Sequence, residues 1–283
     1  MNVSKSGPRK DVSTSTRHFL IALAPAAIAG IWIRGDYVAM LALIGAAIVT
    51  SYAWSAVFAR QRKRALDQNW LLHGVIFGLL LPPAMPLGLA ALALSFGVVF
   101  GCHVFGGSGR YLVQPSLLAV VFIAFAYPEY LDTTAWLSGD STGSAASALY
   151  PAACLLGALY LIATRRIVGA IVVGGLVSAF AAGTLLGGLS GYSQLLLGNF
   201  AFALTFIATD PTTQPTTTIS RLVYGGLFGL LTVILRTFDP AQPEGTWPAL
   251  LLAMLFIPLI DRLTQRPEAK AKLLPADGSE APR

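Results

Sequence analysis

Leu81-Pro82-Pro83-Ala84-Met85-Pro86 and Asp210-Pro211-Thr212-Thr213-Gln214-Pro215 are the two stretches on which the fold turns. Both interrupt long apolar sequence, and their prolines fall 129 residues apart, 82 to 211 and 86 to 215. Each is followed by one apolar span and then a second break. The first copy has Phe105-Gly106-Gly107-Ser108-Gly109-Arg110 running to Pro115, and the second has Phe238-Asp239-Pro240-Ala241-Gln242-Pro243-Glu244-Gly245 running to Pro248. Proline removes a backbone donor, glycine admits unusual dihedrals, and lipid satisfies neither exposed N–H nor exposed C=O. The backbone at these four points must therefore face protein, water or a ligand. The plainer alternative is that they are ordinary turns between bundle helices.

Composition sets the surroundings of these breaks. Of 283 residues, 55% are apolar and 11% charged, against about 25% charged in a soluble domain. Mean hydropathy is +0.69, so the chain reads as an all-α polytopic membrane protein. That excludes a soluble enzyme, a disordered chain and a nucleic-acid binder, although the formal charge of +6 alone is compatible with the last. Cys102 and Cys154 are the only cysteines and both sit in apolar sequence, so neither a disulfide framework nor a thiolate metal cage is available.

Ten candidate spans emerge, at 18–33, 37–58, 70–81, 87–104, 116–128, 149–164, 167–190, 193–208, 221–237 and 248–262. The third and fifth are too short to cross about 30 Å of hydrocarbon unaided and need shielding by protein. Placing the N-terminus in the cytoplasm puts 17 of the 19 basic residues inside, leaving Arg34 and Arg236 outside. The acidic loop 129–147 then lies outside. Five spans per half is an odd number, so the second copy must be inverted, the 5+5 arrangement in which broken helices build a site near the midplane. The expected organisation is a cytoplasmic tail 1–17, a membrane domain 18–262 and a cytoplasmic tail 263–283. Within the domain, repeat one is 18–128 and repeat two is 149–262. The first apolar segment reads as retained rather than as a cleaved signal. Trp32, Trp54, Trp70, Trp136 and Trp247 fall near span ends, where interfacial anchors belong.

A resemblance rests on specific residues. The run Phe105 to Leu117 followed by Phe125-Ala126-Tyr127-Pro128 resembles the NqrB/RnfD family, the membrane flavoprotein subunits of two ion-translocating complexes. These complexes are the sodium-pumping NADH:quinone oxidoreductase and the Rnf electron-transport complex. Ala208-Thr209-Asp210-Pro211, Tyr224-Gly225, Leu231 to Arg236, Pro243-Glu244-Gly245 and Pro258-Leu259-Ile260-Asp261 are similar to that family's second half in order and spacing. The resemblance covers about 70–262. It implies a bacterial inner-membrane protein with an inverted-repeat fold like that of urea and ammonium channels. It also implies covalent FMN on the Thr of a Ser-Gly-Ala-Thr motif in an external loop, a second noncovalent flavin, and partner membrane, Fe–S and flavin subunits. Here the loop reads Ser138-Gly139-Asp140-Ser141, so the acceptor falls to Ser141 or to the neighbouring Thr142. At 110–116, where the family usually shows Asn-x-Phe-Asn-Pro-Ala, Gln114 replaces one side-chain amide and the first Asn is absent.

The cofactor-binding residues expected on these grounds are Ser141, Thr142, Gly107, Gly109, Gln114, Thr209, Asp210, Arg236 and Glu244. Asp210 stands among Thr209, Thr212 and Thr213, a group able to offer hydroxyls to flavin or to hold a cation. It could equally cap the helix that starts near Thr217. Arg236 suits a flavin phosphate, or a pairing with Asp239 or Glu244, and Glu244 itself complements the N-terminus of the last span. Intramembrane ionisable groups are scarce, with His73, His103 and Asp261 completing them, and such groups are functional candidates by default. No hydrolytic triad, P-loop, pair of catalytic carboxylates, NADH fingerprint or Fe–S cysteine set is present, so no catalytic or metal-ligating residue is assigned. Two function classes stand: a flavin-bearing subunit of an electron-transport translocase, or a small-solute channel or transporter on the same fold. A cofactor-less scaffold subunit is a third.

Overall fold

The computed structural model describes residues 9–63, 66, 69–107, 111, 113–131, 144–186, 195, 199–238 and 245–264. Among these residues every regular element is helical. In chain order they are α1 (Arg9–Arg34), α2 (Tyr37–Gln61), α3 (Asn69–Leu80), α4 (Leu87–Val98) and α5 (Pro115–Ala126). Then follow α6 (Ser144–Ala163), α7 (Gly169–Leu185), the short α8 (Phe200–Phe202), α9 (Thr218–Phe238), α10 (Thr246–Leu255) and α11 (Ile257–Thr264). Two of them continue as π-helical turns, α4 into Val99–His103 and α8 into Ala203–Ile207.

Three helices are long and apolar enough to cross a membrane, at Thr16–Arg34, Tyr37–Gln61 and Thr218–Phe238, and the bent pair α10–α11 makes a fourth if it counts as one span. The apolar helices α3, α5 and α7 are shorter than that. α3 and α5 have 12 residues each, the length the sequence suggested. Their shortness is tolerated because neighbours shield their ends. α3 packs on α2 and α5, and α5 on α3, α4 and α10. Large apolar side chains such as Val38, Leu92, Phe125, Leu159 and Val177 are exposed on the outer faces, the surface a bilayer solvates.

The remaining contacts set the layers. α7 packs along α9, α2 along α4, α1 along α6, and α9 against α10. At the centre lies α8 with its π turn, where residues from Asn199 to Thr209 are all buried. Phe200 stacks on Phe228 of α9 at 5.2 Å, and Phe202 lies parallel to Tyr150 of α6 with ring centroids 6.3 Å apart. A helix too brief to satisfy its own backbone is thus enclosed on every side by protein.

Two expectations are corrected. The last span is not one helix: α10 and α11 meet at Phe256 with a 48° bend. Pro258 supplies the reason, since its ring clashes with the carbonyl four residues earlier and it has no N–H to continue the ladder. Trp247 is not an interfacial anchor, being 1% exposed in the core at the start of α10. Trp32, by contrast, is exposed, and Trp136 lies outside the described residues.

Candidate functional site

The site is built where the break before α5 meets the break after α8. Pro115 occupies the first turn of α5 with Gln114 as its N-cap, and the Gln114 side-chain oxygen accepts from the Leu117 N–H at 3.0 Å. Ser116 Oγ donates to the His73 carbonyl at 2.9 Å, locking α5 onto α3. Just upstream, Tyr111 crosses the gap and donates its hydroxyl proton to Asp210 Oδ2 at 2.9 Å. The His73 ring meets the Tyr111 ring edge-on, with centroids 5.7 Å apart.

Asp210 is held by its own turn. Its Oδ1 accepts from the Thr212 N–H at 2.9 Å, and its carbonyl accepts from the N–H groups of Thr213 and Gln214, both at 3.1 Å. It does not cap α9. That role belongs to Thr217, whose Oγ1 accepts from the Ser220 N–H at 3.0 Å. The turn is clamped further along: both Asp261 oxygens accept from the Thr216 N–H, and Arg221 Nε donates to the Pro215 carbonyl.

A buried carboxylate needs partners, and those of Asp210 come from two distant parts of the chain. Around it several buried polar atoms have no hydrogen-bond partner among the described residues. They are both ring nitrogens of His73, Gln114 Nε2, Thr213 Oγ1, Gln214 Oε1 and the Tyr224 hydroxyl. Native interiors leave few such groups, so this collection of donors and acceptors is the candidate site.

The π turn of α4 borders the same region. Gly106 and Gly107 follow it with φ of 113° and 96°, and the Gly107 N–H returns to the Cys102 carbonyl at 3.0 Å. Positive φ at both positions is natural for glycine and strained for any other residue. Arg62, the C-cap of α2, fastens this end by donating from Nη2 to the His103 carbonyl, while its guanidinium lies over Phe58 at 5.3 Å and Phe58 stacks on the His103 ring at 4.4 Å. Arg62→Ala is expected to lower stability by about 1–2 kcal/mol, with Arg62→Lys recovering only part because it lacks the planar fork. Thermal unfolding of the two variants in detergent, followed by intrinsic fluorescence, reads this; equal midpoints for wild type and Arg62→Ala would show that the contact is idle.

The residues expected from the sequence divide in space. Gln114, Thr209 and Asp210 lie at the cluster, with Gly107 on the neighbouring break. Thr209, however, turns its hydroxyl to its own helix, donating to the Thr205 carbonyl. Arg236 lies at the far end of α9, about 27 Å along the axis from Thr218, where Nη2 donates to Thr246 Oγ1 at 3.1 Å and the guanidinium sits 6.0 Å from the Phe200 ring centre. One ligand site cannot include both ends. Ser141, Thr142, Gly109 and Glu244, with Asp239, lie outside the described residues. Tyr111 and Arg62 were not singled out from sequence. A tyrosine just before the Gln-Pro start of a short helix is the signal that could have found the first. Among the described residues no group of three His, Cys, Asp or Glu side chains could hold a metal ion.

The sequence pattern of the NQR2, RnfD, RnfE family matches residues 6–152 and, overlapping, 139–270. The chain belongs to this family. Among its relatives, the Na(+)-translocating NADH-quinone reductase B subunit of Ectopseudomonas mendocina is 32% identical over 78% of this chain and 65% of its own length. The proteins of the same name from Chromohalobacter salexigens and Yersinia pestis are 32% and 30% identical over 78% and 77% of this chain, and over 64% of their own length in each case. The chain thus spans less than two thirds of these family members. With its apolar helices, the family membership identifies a membrane protein.

Proposed function

We propose that this protein is the membrane subunit of an ion-translocating electron-transport complex and passes electrons through bound flavin between partner redox subunits. The observation that carries this reading is the buried, partly unsatisfied polar cluster at the junction of two broken helices in a chain of this family. Ten spans in an inverted 5+5 arrangement, with both termini cytoplasmic, agree with it. In support, α2 packs on α4 as α7 does on α9, and α4 on α5 as α9 does on α10, with the starts of α2, α4 and α5 recurring 131 or 132 residues later in α7, α9 and α10. The two π turns do not fall at equivalent positions, so the site departs locally from that equivalence, as π turns at functional sites often do.

A flavin fits the donor set of the cluster. Gln114 Nε2 and the Thr213 hydroxyl can donate and Gln214 Oε1 can accept, the types of group that the acceptors and N–H of an isoalloxazine edge require. These residues would hold a noncovalent flavin. An FMN esterified to Ser141 or Thr142 would be the second, with Arg236 as the cation proposed for a flavin phosphate. Flavin, when bound, supplies one- and two-electron chemistry, while the chain supplies position and electrostatics. The reaction needs partner subunits to deliver and remove electrons.

Purification in detergent tests the reading, with the flavin-attaching enzyme and free flavin both supplied. The expected result is a yellow protein with a flavin absorption spectrum, fluorescent in a denaturing gel if a covalent bond is present. Ser141→Ala and Thr142→Ala assign that bond. A colourless preparation would sink the electron-transport reading and favour a solute channel on the same fold.

A further inference from the structure

We infer that the 211–217 turn is a lid over the polar cluster and that α11 is its latch, hinged at Phe256. Along this turn inside and outside alternate within a few residues: Asp210, Thr213 and Pro215 are buried, whereas Pro211 and Thr216 are exposed. A single layer of irregular backbone therefore covers the unpartnered atoms of Thr213 and Gln214. The layer is fastened at both ends. At its buried end the Tyr111 hydroxyl and the Thr212 N–H hold Asp210, each at 2.9 Å. At its far end the Thr216 N–H donates to both Asp261 oxygens of α11, at 3.1 and 3.2 Å. Ser220, whose N–H is capped by Thr217, meets Thr264 of α11 hydroxyl to hydroxyl at 2.5 Å.

α11 has the makings of a movable arm. Of its eight residues only Ile260 is buried, while Leu259 and Leu263 are 48% and 74% exposed. Polar bonds rather than apolar burial hold it in place, and elements with few buried apolar contacts open at the lowest free energy. Its hinge is already formed, because α10 ends at Leu255 and Pro258 prevents the hydrogen-bond ladder from continuing through Phe256. Straightening a 48° bend over eight residues would carry the far end of α11 roughly 9 Å, enough to part Asp261 from Thr216 and Thr264 from Ser220. With α11 docked, the turn cannot lift without breaking the Asp261 bonds. With α11 swung away, the far end keeps only the bond from Arg221 Nε to the Pro215 carbonyl, and the cluster opens at the end of the bundle where α9 begins.

The latch rests on the reading of the cluster as the ligand site and adds how access to it is governed. Its test needs neither flavin nor partner subunits, so a failed latch leaves the electron-transport reading standing, and a colourless protein leaves the latch standing. Amide hydrogen exchange of the full-length protein in lipid nanodiscs reads the lid. Alkylation of Cys102 by N-ethylmaleimide, followed by peptide mass, reads access to the cluster, because Cys102 is 2% exposed and lies beside Tyr111. Cys154, buried in α6, is the control for general loosening. Asp261→Ala is expected to raise both exchange in 211–217 and the Cys102 rate about tenfold, with Cys154 unchanged. Asp261→Asn keeps an oxygen that accepts from the Thr216 N–H and should give a smaller rise. Ser220→Cys combined with Thr264→Cys should close a disulfide that pins α11 and slows Cys102 alkylation below the wild-type rate, with reduction restoring it. Equal rates in wild type and Asp261→Ala, or a closed disulfide without effect, would overturn the latch. So would an Asp261→Ala protein in which Cys154 reacts as fast as Cys102, since the bond would then hold the whole fold rather than a lid.

Discussion

Gly225→Ala is expected to destabilise the protein by about 3 kcal/mol, at the upper end of the range for overpacking, because the obstacle is backbone. α7 and α9 approach so closely that a Cβ at Gly225 would sit 2.2 Å from the Ile171 carbonyl oxygen and 3.1 Å from the Gly175 nitrogen. A carbonyl cannot swing aside as a side-chain tip can, so the two helices must separate. That separation disturbs Tyr224, which packs beside Asp210, and Phe228, which stacks on Phe200. Gly45→Ala is the control: nothing lies within 4 Å of a Cβ there, and no loss is expected. Thermal unfolding in detergent, read by the loss of the monodisperse peak on size exclusion, compares them. If Gly225→Ala matched Gly45→Ala, the close approach of α7 and α9 would be wrong.

The second large effect concerns the bond between Tyr111 and Asp210. A hydrogen bond to a charged group is worth about 1.5–3 kcal/mol, and leaving its partner buried and unpaired removes more than the bond itself. Tyr111→Phe leaves Asp210 with only Thr212 as partner, and Asp210→Ala leaves the Thr212 N–H without its acceptor and the Tyr111 hydroxyl with only the Thr212 side chain. Each single variant should lose about 2 kcal/mol. The double variant should lose little more than Asp210→Ala alone, a coupling of about 1.5 kcal/mol or more in a double-mutant cycle. Denaturant titration of the four proteins measures this, and simple additivity would mean that the two side chains do not meet.

Much of the helical layout is local and therefore readable. Prolines at 82, 83 and 86 end one helix and start the next because the ring excludes the donor on any sequence background. Apolar runs of about a dozen residues between such breaks give α3 and α5 their length. Asp210 stood out because a carboxylate in apolar sequence is rare. The π turns at Val99–His103 and Ala203–Ile207 were not readable, since a shift of backbone pairing by one residue leaves the apolar pattern unchanged. The burial of Trp247 was hidden for a related reason: position near a span end says nothing about which neighbour covers the ring.

The sequence by itself determined that the chain is apolar and helical, where its helices are broken, and which scarce polar residues stand at those breaks. These follow from dihedral limits and solvation, which act over a few residues. Only the tertiary structure decided which polar residues meet. Tyr111 and Asp210 are 99 positions apart, and His73 reaches Tyr111 only because Ser116 ties α5 to α3. It also decided which do not meet, placing Arg236 at the opposite end of α9 from Asp210. Such pairings depend on how helices pack, and packing is set by the fit of side chains and close backbone contacts such as Gly225 on Ile171, which no single stretch of sequence contains.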